Sequence, residues 1–183
     1  MKTSWQNTEA GYGWISIAFH WLMLLLIAAV YATMEFKGAF PKGSAERASM
    51  ASWHYMLGLS VLVLVWLRLG MRLTSVEPPI TPASPQWQAR LAKLLHIVLY
   101  ALMICLPLLG WLTLSARGAA IPFFGIELPA LVGKSKDLAN WFKEVHETTA
   151  TVGYFLIGAH ALAALFHHYI VRDDTLRRMW FRR

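Results

Sequence analysis

Four stretches of this chain contain no Asp, Glu, Lys or Arg: Trp14 to Met34, Ala48 to Leu67, Leu94 to Ala116 and Thr148 to Val171. Each is close to the roughly 20 residues a helix needs to cross hydrocarbon. A helix on a soluble protein keeps a polar face, and these runs have none. They therefore predict four transmembrane helices, over about 14–34, 48–67, 94–116 and 146–171, with the lipid bilayer as their solvent. The composition agrees: 57% of residues are hydrophobic and 15% charged. The first run is too long for a signal peptide and lacks a basic start and a small-residue cleavage site. Cys105 has no second cysteine to pair with in the chain.

Lipid leaves no water for the backbone, so each run must be a helix. The connections are short. Pro78, Pro79, Pro82 and Pro85 exclude helix between the second and third runs. Pro122, Gly125, Pro129 and Gly133 break the connection between the third and fourth. No repeat or low-complexity tract is visible. The expected fold class is an all-α membrane protein: one domain, residues 1–183, forming a four-helix up-down bundle whose interior is the natural place for a cofactor. Pro107, inside the third run, is expected to kink its helix, a cost that neighbouring helices absorb.

The formal net charge of +7 is read as orientation, not as nucleic-acid binding. If the spans alternate, one side holds ten Lys and Arg: Lys2, Arg68, Arg72, Arg90, Lys93, Arg172, Arg177, Arg178, Arg182 and Arg183. The other holds seven: Lys37, Lys42, Arg47, Arg117, Lys134, Lys136 and Lys143. The first side also has four acids against six. Both termini of this multi-pass protein are therefore expected in the cytoplasm.

All seven histidines, His20, His54, His96, His146, His160, His167 and His168, lie in or at the end of an apolar run. An ionisable side chain in a span is costly and marks function by default. A lone histidine is more simply a neutral, hydrogen-bonded packing residue. Seven at ordered depths call for more. His146 and His160 are 14 positions apart, which on a helix puts them on one face about 21 Å apart along the axis. His54 matches the depth of His146, and His20 approximates that of His160. The pattern is two cross-helix pairs, an outer one (His54 with His146) and an inner one (His20 with His160).

Such pairs suit the two axial positions of haem iron. Zinc is the rival, but it normally takes four tetrahedral ligands, often thiolates, and each level offers only a histidine pair. Two stacked b-type haems fit better. Gly153 lies seven residues from both His146 and His160; it leaves room for macrocycle edges or, equally, for close helix packing. His167 lies about 10 Å beyond His160, too far to share its iron. With His96 and His168 it forms a candidate quinone site, since imidazoles both donate hydrogen bonds and carry protons. The alternative is that these three are wet interfacial residues. Trp53, Trp87, Trp111, Trp141 and Trp180 read as interfacial anchors.

The segments SIAFHW (Ser16 to Trp21), MEFKGAFP (Met34 to Pro41), WHYMLGLS (Trp53 to Ser60) and, above all, HETTATVGYFLIGAHALAALFHHY (His146 to Tyr169) resemble the prokaryotic cytochrome b561 family, and the likeness runs nearly the whole chain. It implies two haem b, with His54 and His146 on the outer haem and His20 and His160 on the inner. It also carries family histidines onto His96, His167 and His168. The likeness is nearest to small stand-alone diheme members, which implies oxidation of periplasmic superoxide and delivery of its electrons to ubiquinone. The same four-histidine plan occurs in cytochrome b subunits that take electrons from a partner dehydrogenase or hydrogenase, so the plan alone leaves the donor open. A haem-free structural protein is the third reading.

A positive patch beside the outer haem would concentrate a small anion and speed its encounter. The candidates are Lys37, Lys42 and Arg47 in the first outer connection, and Lys134, Lys136 and Lys143 before the fourth helix. Taken singly, each is also an ordinary solvated loop charge.

Overall fold

The computed structural model describes residues 5–180; of the charges counted for orientation, Lys2, Arg182 and Arg183 lie outside them. Four long helices dominate: α1 (Trp14–Lys37), α2 (Ala45–Thr74), α3 (Gln86–Arg117) and α4 (Lys136–Phe166). The helix of α4 continues as a π-helical turn over His167–Val171, and a short 3₁₀ turn follows at Arg177–Met179. All four are long and apolar enough to cross a membrane, the fourth counted as Lys136–Val171. Every helix contains its predicted run and extends past it at one or both ends. The hydrocarbon sets the length of the uncharged run, but nothing stops a helix from continuing into the polar zone. Large apolar side chains such as Leu25, Phe155 and Leu162 stand two-thirds or more exposed on the helix surfaces, as lipid-facing positions do.

Contacts gather the chain into two compact units, each drawn from all four helices. The first unit comprises residues 1–22, 66–101 and 152–183. It therefore holds the N-terminal segment, the proline-rich connection and the tail, the three pieces that alternation assigns to one side. Asn7 ties the segment before α1 down. Its side-chain oxygen accepts from Gly13 N–H at 3.0 Å and Ser16 O–H at 2.7 Å, and its amide donates to the Val76 carbonyl at 3.1 Å. The tail is pinned as well. Asp174 accepts from Thr81 N–H at 2.9 Å, and Trp21 donates to the Met179 carbonyl at 2.8 Å. Buried Arg178 donates to the Pro78 carbonyl and lies 4.7 Å over the Tyr12 ring.

The second unit comprises residues 23–65 and 102–151. Its core is Leu59, Leu114 and Ile121, with Tyr55, Leu62, Trp111, Phe123 and Leu128 packed against them. α3 ends at Gly118, whose φ of +65° only glycine adopts freely. Gly118 N–H donates to Ser115 and Ala119 N–H to Leu114, the paired bonds that close a helix C-terminus. A two-stranded hairpin absent from the sequence expectation follows: β1 (Pro122–Phe123) pairs antiparallel with β2 (Ile126–Glu127). Its turn residues, Phe124 and Gly125, both have positive φ, which is the turn geometry that matches strand twist. The connection is strapped to the end of α3. Leu131 N–H donates to Ser115 Oγ at 3.0 Å, and Trp111 donates to the Pro129 carbonyl at 3.0 Å. Trp111 is thus a strap as much as an interfacial anchor.

Candidate functional site

In the second unit, His54 on α2 and His146 on α4 face each other with ring centroids 6.1 Å apart. Both are half-buried. His54 Nδ1 lies 3.1 Å from the Val30 carbonyl of α1, and His146 Nδ1 lies 3.0 Å from the Leu106 carbonyl of α3. A carbonyl only accepts, so each Nδ1 carries the proton and each Nε2 keeps its lone pair free. That is the tautomer of a metal-bound imidazole whose other nitrogen is held by an acceptor. Thr33 Oγ1 stands 3.5 Å from His54 Nδ1 and donates to the Val30 carbonyl at 2.6 Å. It helps hold the same corner.

In the first unit, three histidines converge. His20 on α1 and His160 on α4 have centroids 6.3 Å apart, and His96 on α3 lies 5.3 Å from His160. Two imidazoles on opposite sides of one metal, each bonded at about 2 Å, hold their ring centres roughly 6 Å apart. The spacings of 6.1 and 6.3 Å match that demand; 5.3 Å is short of it. Among the described residues no group of three His, Cys, Asp or Glu side chains is set to share one ion, as a tetrahedral zinc site would require. His20 differs from His54 and His146 in one respect: its Nδ1 faces Arg68 Nη2 at 3.2 Å, a donor where they have an acceptor.

His167 opens the π-helical turn, so extrapolating α-helical geometry from His160 holds only through Phe166. Its Nδ1 is 2.5 Å from Asp173 Oδ2. Asp173 is fully buried and also accepts from Thr175 N–H at 2.9 Å. Burial pushes its carboxyl up, but the bonds from His167 and Thr175 outweigh that and hold it below the usual carboxylate value. His168 is half-buried, and its Nδ1 has no partner. Both residues belong to the first unit, as does His96; Gly153, also there, is buried.

The basic candidates belong to the second unit. Lys37 ends α1, and its charge adds only a minor part to the field at His54. Lys42, Lys134 and Lys136 are exposed, the stem of Lys134 covering Gly118. Lys143 pairs with Glu147 at 2.9 Å. Arg47 is used locally, its Nη1 donating to the Lys37 and Phe40 carbonyls at 3.0 and 2.9 Å. These bonds cap the end of α1 and leave Arg47 less free to steer an anion.

Residues 11–182 match the sequence pattern described as prokaryotic cytochrome b561. The chain belongs to that family. It is 44% identical to cytochrome b561 homolog 1 of Escherichia coli over 91% of this chain and 95% of the relative. It is 38% identical to a protein of Yersinia pestis named probable superoxide oxidase CybB, over 92% and 94%. Cytochrome b562 of Cereibacter sphaeroides is 30% identical over 93% and 96%. This is therefore a prokaryotic membrane cytochrome, and the family implies b-type haem.

Sequence reasoning missed three side chains that the structure brings into play: Arg68, Tyr100 and Asp173. Arg68 and Asp173 carried a detectable signal. Arg68 follows an uncharged run directly and lies in α2, and Asp173 stands six residues from a histidine.

Proposed function

We propose that this cytochrome oxidises superoxide on the outer side of a bacterial inner membrane and passes the electrons through two haem b to ubiquinone, acting as a superoxide oxidase. The observation that carries the reading is the matched pair of histidine couples, 6.1 and 6.3 Å between ring centres. His54 and His146 would hold the outer haem, and His20 and His160 the inner. The haems supply one-electron redox chemistry; the chain binds them, orients them and keeps water out.

Two superoxide anions lose one electron each and leave as dioxygen. One quinone gains both electrons and takes two protons to become quinol. Lys37, at the end of α1, would attract the anion; exposed Lys42 and Lys134 extend the field, and Arg47 contributes less because two carbonyls hold its guanidinium. In the first unit, His96, His167 and His168 form the quinone site. The Asp173 carboxylate fixes a proton on His167 Nδ1 and orients the ring. The unpartnered Nδ1 of His168 is available to a quinone carbonyl. Electrons moving inward work against the membrane potential by about 2.3 kcal/mol per 100 mV, so the donor must be a stronger reductant than quinol by more than that. The relative in Yersinia pestis, by its name, points to superoxide as that donor.

The test is to add superoxide to the oxidised, detergent-purified protein and follow haem absorbance. Reduction faster than spontaneous dismutation, followed by reoxidation on adding ubiquinone, is expected. Haems that stay oxidised would instead favour a subunit fed by a partner dehydrogenase.

A further inference from the structure

Arg68 lies in α2, inside a membrane-spanning helix. Its guanidinium stays charged and offers five N–H donors in a fixed fork. Nε donates to Tyr100 Oη at 3.1 Å and Nη2 to His20 Nδ1 at 3.2 Å. Nη1 is buried with no acceptor. Among the described residues no carboxylate pairs with it; the ion pairs there are Arg72 with Glu77, Lys143 with Glu147 and His167 with Asp173. Arg68 as a whole is half-buried, but a charged group in a span is normally paired, and its Nη1 is not. Among the described residues the acid lining the cleft beside it, Glu77, is taken by Arg72.

The hold on His20 points the same way. The outer histidines each give their Nδ1 proton to a carbonyl. His20 would need an acceptor to do likewise, yet it faces a donor. For His20 to bind iron through Nε2 with a proton on Nδ1, Arg68 Nη2 must let go. A destination lies alongside: a solvent-open cleft lined within the first unit by Ser16, Phe19, Arg68, Arg72, Glu77 and Tyr100 among others. Arg72 is already engaged by Glu77 at 3.3 Å. Arg68 is the cation left over.

We infer that Arg68 is the anchor for a propionate carboxylate of the inner haem, gripped through the Nη1 and Nη2 edge of its fork with the Tyr100 hydroxyl beside it. Arginine and carboxylate match as parallel two-bond partners. The inference rests on the reading of His20 and His160 as the inner ligands. A lipid phosphate at the membrane surface offers the same anionic oxygens, so the test separates the two sources.

The measurement is the rate at which haem leaves the full-length protein for a haem-free globin scavenger, in phosphatidylcholine nanodiscs. It crosses wild type and Arg68→Gln with haem b and haem b dimethyl ester. Arg68→Gln is expected to release one of two haems at least tenfold faster, and Arg68→Lys to fall between. In wild type the esterified haem is expected to leave one site correspondingly faster, an arm that needs no substitution. Substitution and ester together are expected to be no worse than either alone, the mark of a shared interaction. Equal release rates overturn the inference. So does a substitution effect that is undiminished with the ester, or one that appears only with phosphatidylglycerol, which would assign Arg68 to lipid. Fewer than two haems per wild-type chain would overturn the ligand reading itself, a different failure.

Discussion

His146 rests directly on α3. Its Nδ1 donates to the Leu106 carbonyl at 3.0 Å, and its Cε1 lies 3.5 Å from where a β-carbon on residue 110 would stand. One residue of α3 thus supplies the acceptor that sets the tautomer, and another, Gly110, supplies the space that lets the ring lie against the helix.

A first expectation follows from that contact. A single methyl at 110 meets the ring at ordinary van der Waals distance, so Gly110→Ala should keep both haems. Gly110→Leu adds bulk where the ring must lie and should displace it, since overpacking forces neighbours off position. Haem per chain, measured as the pyridine complex, should fall from two to one with Leu and stay at two with Ala. Equal loss with both, or with neither, would show that Gly110 does not set the ring position.

On the proposed assignment, ring spacing distinguishes ligands from neighbours. His54→Ala and His160→Ala should each cost one haem. His96→Ala should keep both, because 5.3 Å from His160 is too close for an iron between them; it should instead slow electron delivery to quinone. Loss of a haem in His96→Ala, with His20→Ala retaining two, would mean that the inner pair is His96 with His160.

Asp173 gives the tail a pH dependence whose sign can be worked out. Its carboxyl is held below the ordinary value of 3.8, so it favours the folded state fully above that value. The contribution is lost as pH falls below 3.8 toward the lowered folded value. Wild type should therefore have a higher Tm than Asp173→Asn near pH 7, and the gap should close below pH 4. Two melting curves that run parallel with pH would contradict the link between Asp173 and His167.

The N-terminal clasp depends on one glycine. A β-carbon on Gly13 would stand 2.5 Å from the Gln6 carbonyl carbon and the Trp5 carbonyl oxygen, and these are backbone atoms that cannot swing aside. Gly13→Ala should cost about 1–3 kcal/mol and release the segment that Asn7 holds. Limited proteolysis near the N-terminus should speed up while both haems stay bound. An unchanged digestion rate would remove the clasp as a structural element.

What could be read in advance had a physical reason. Uncharged runs located all four helices because hydrocarbon tolerates little else. The prolines at 78, 79, 82 and 85 marked a segment without helix, and α3 does begin at Gln86. The approach of His54 to His146 and of His20 to His160 was legible because matching depths were set by the 14-residue spacing of His146 and His160 on α4. The acceptors of His54 and His146, the carbonyls of Val30 and Leu106, were not: they belong to the backbone, and any residue type supplies one. The hairpin at 122–127 was hidden behind its own Pro and Gly, which signal a break without saying what fills it. Arg68 was read as a boundary charge because its sequence neighbours do not reveal that Tyr100 and His20 converge on it. Asp173 looked like a tail acid, and only the turn over His167–Val171 folds it back onto His167.

The central claim is that each of two histidine couples holds one iron porphyrin. Electron paramagnetic resonance of the oxidised protein, read together with haem per chain, tests it most directly. Two low-spin ferric signals in equal amounts, at two haems per chain, are the expected result, one of them vanishing in His54→Ala and the other in His160→Ala. A high-spin signal with a vacant axial position, or a single haem per chain, would contradict it.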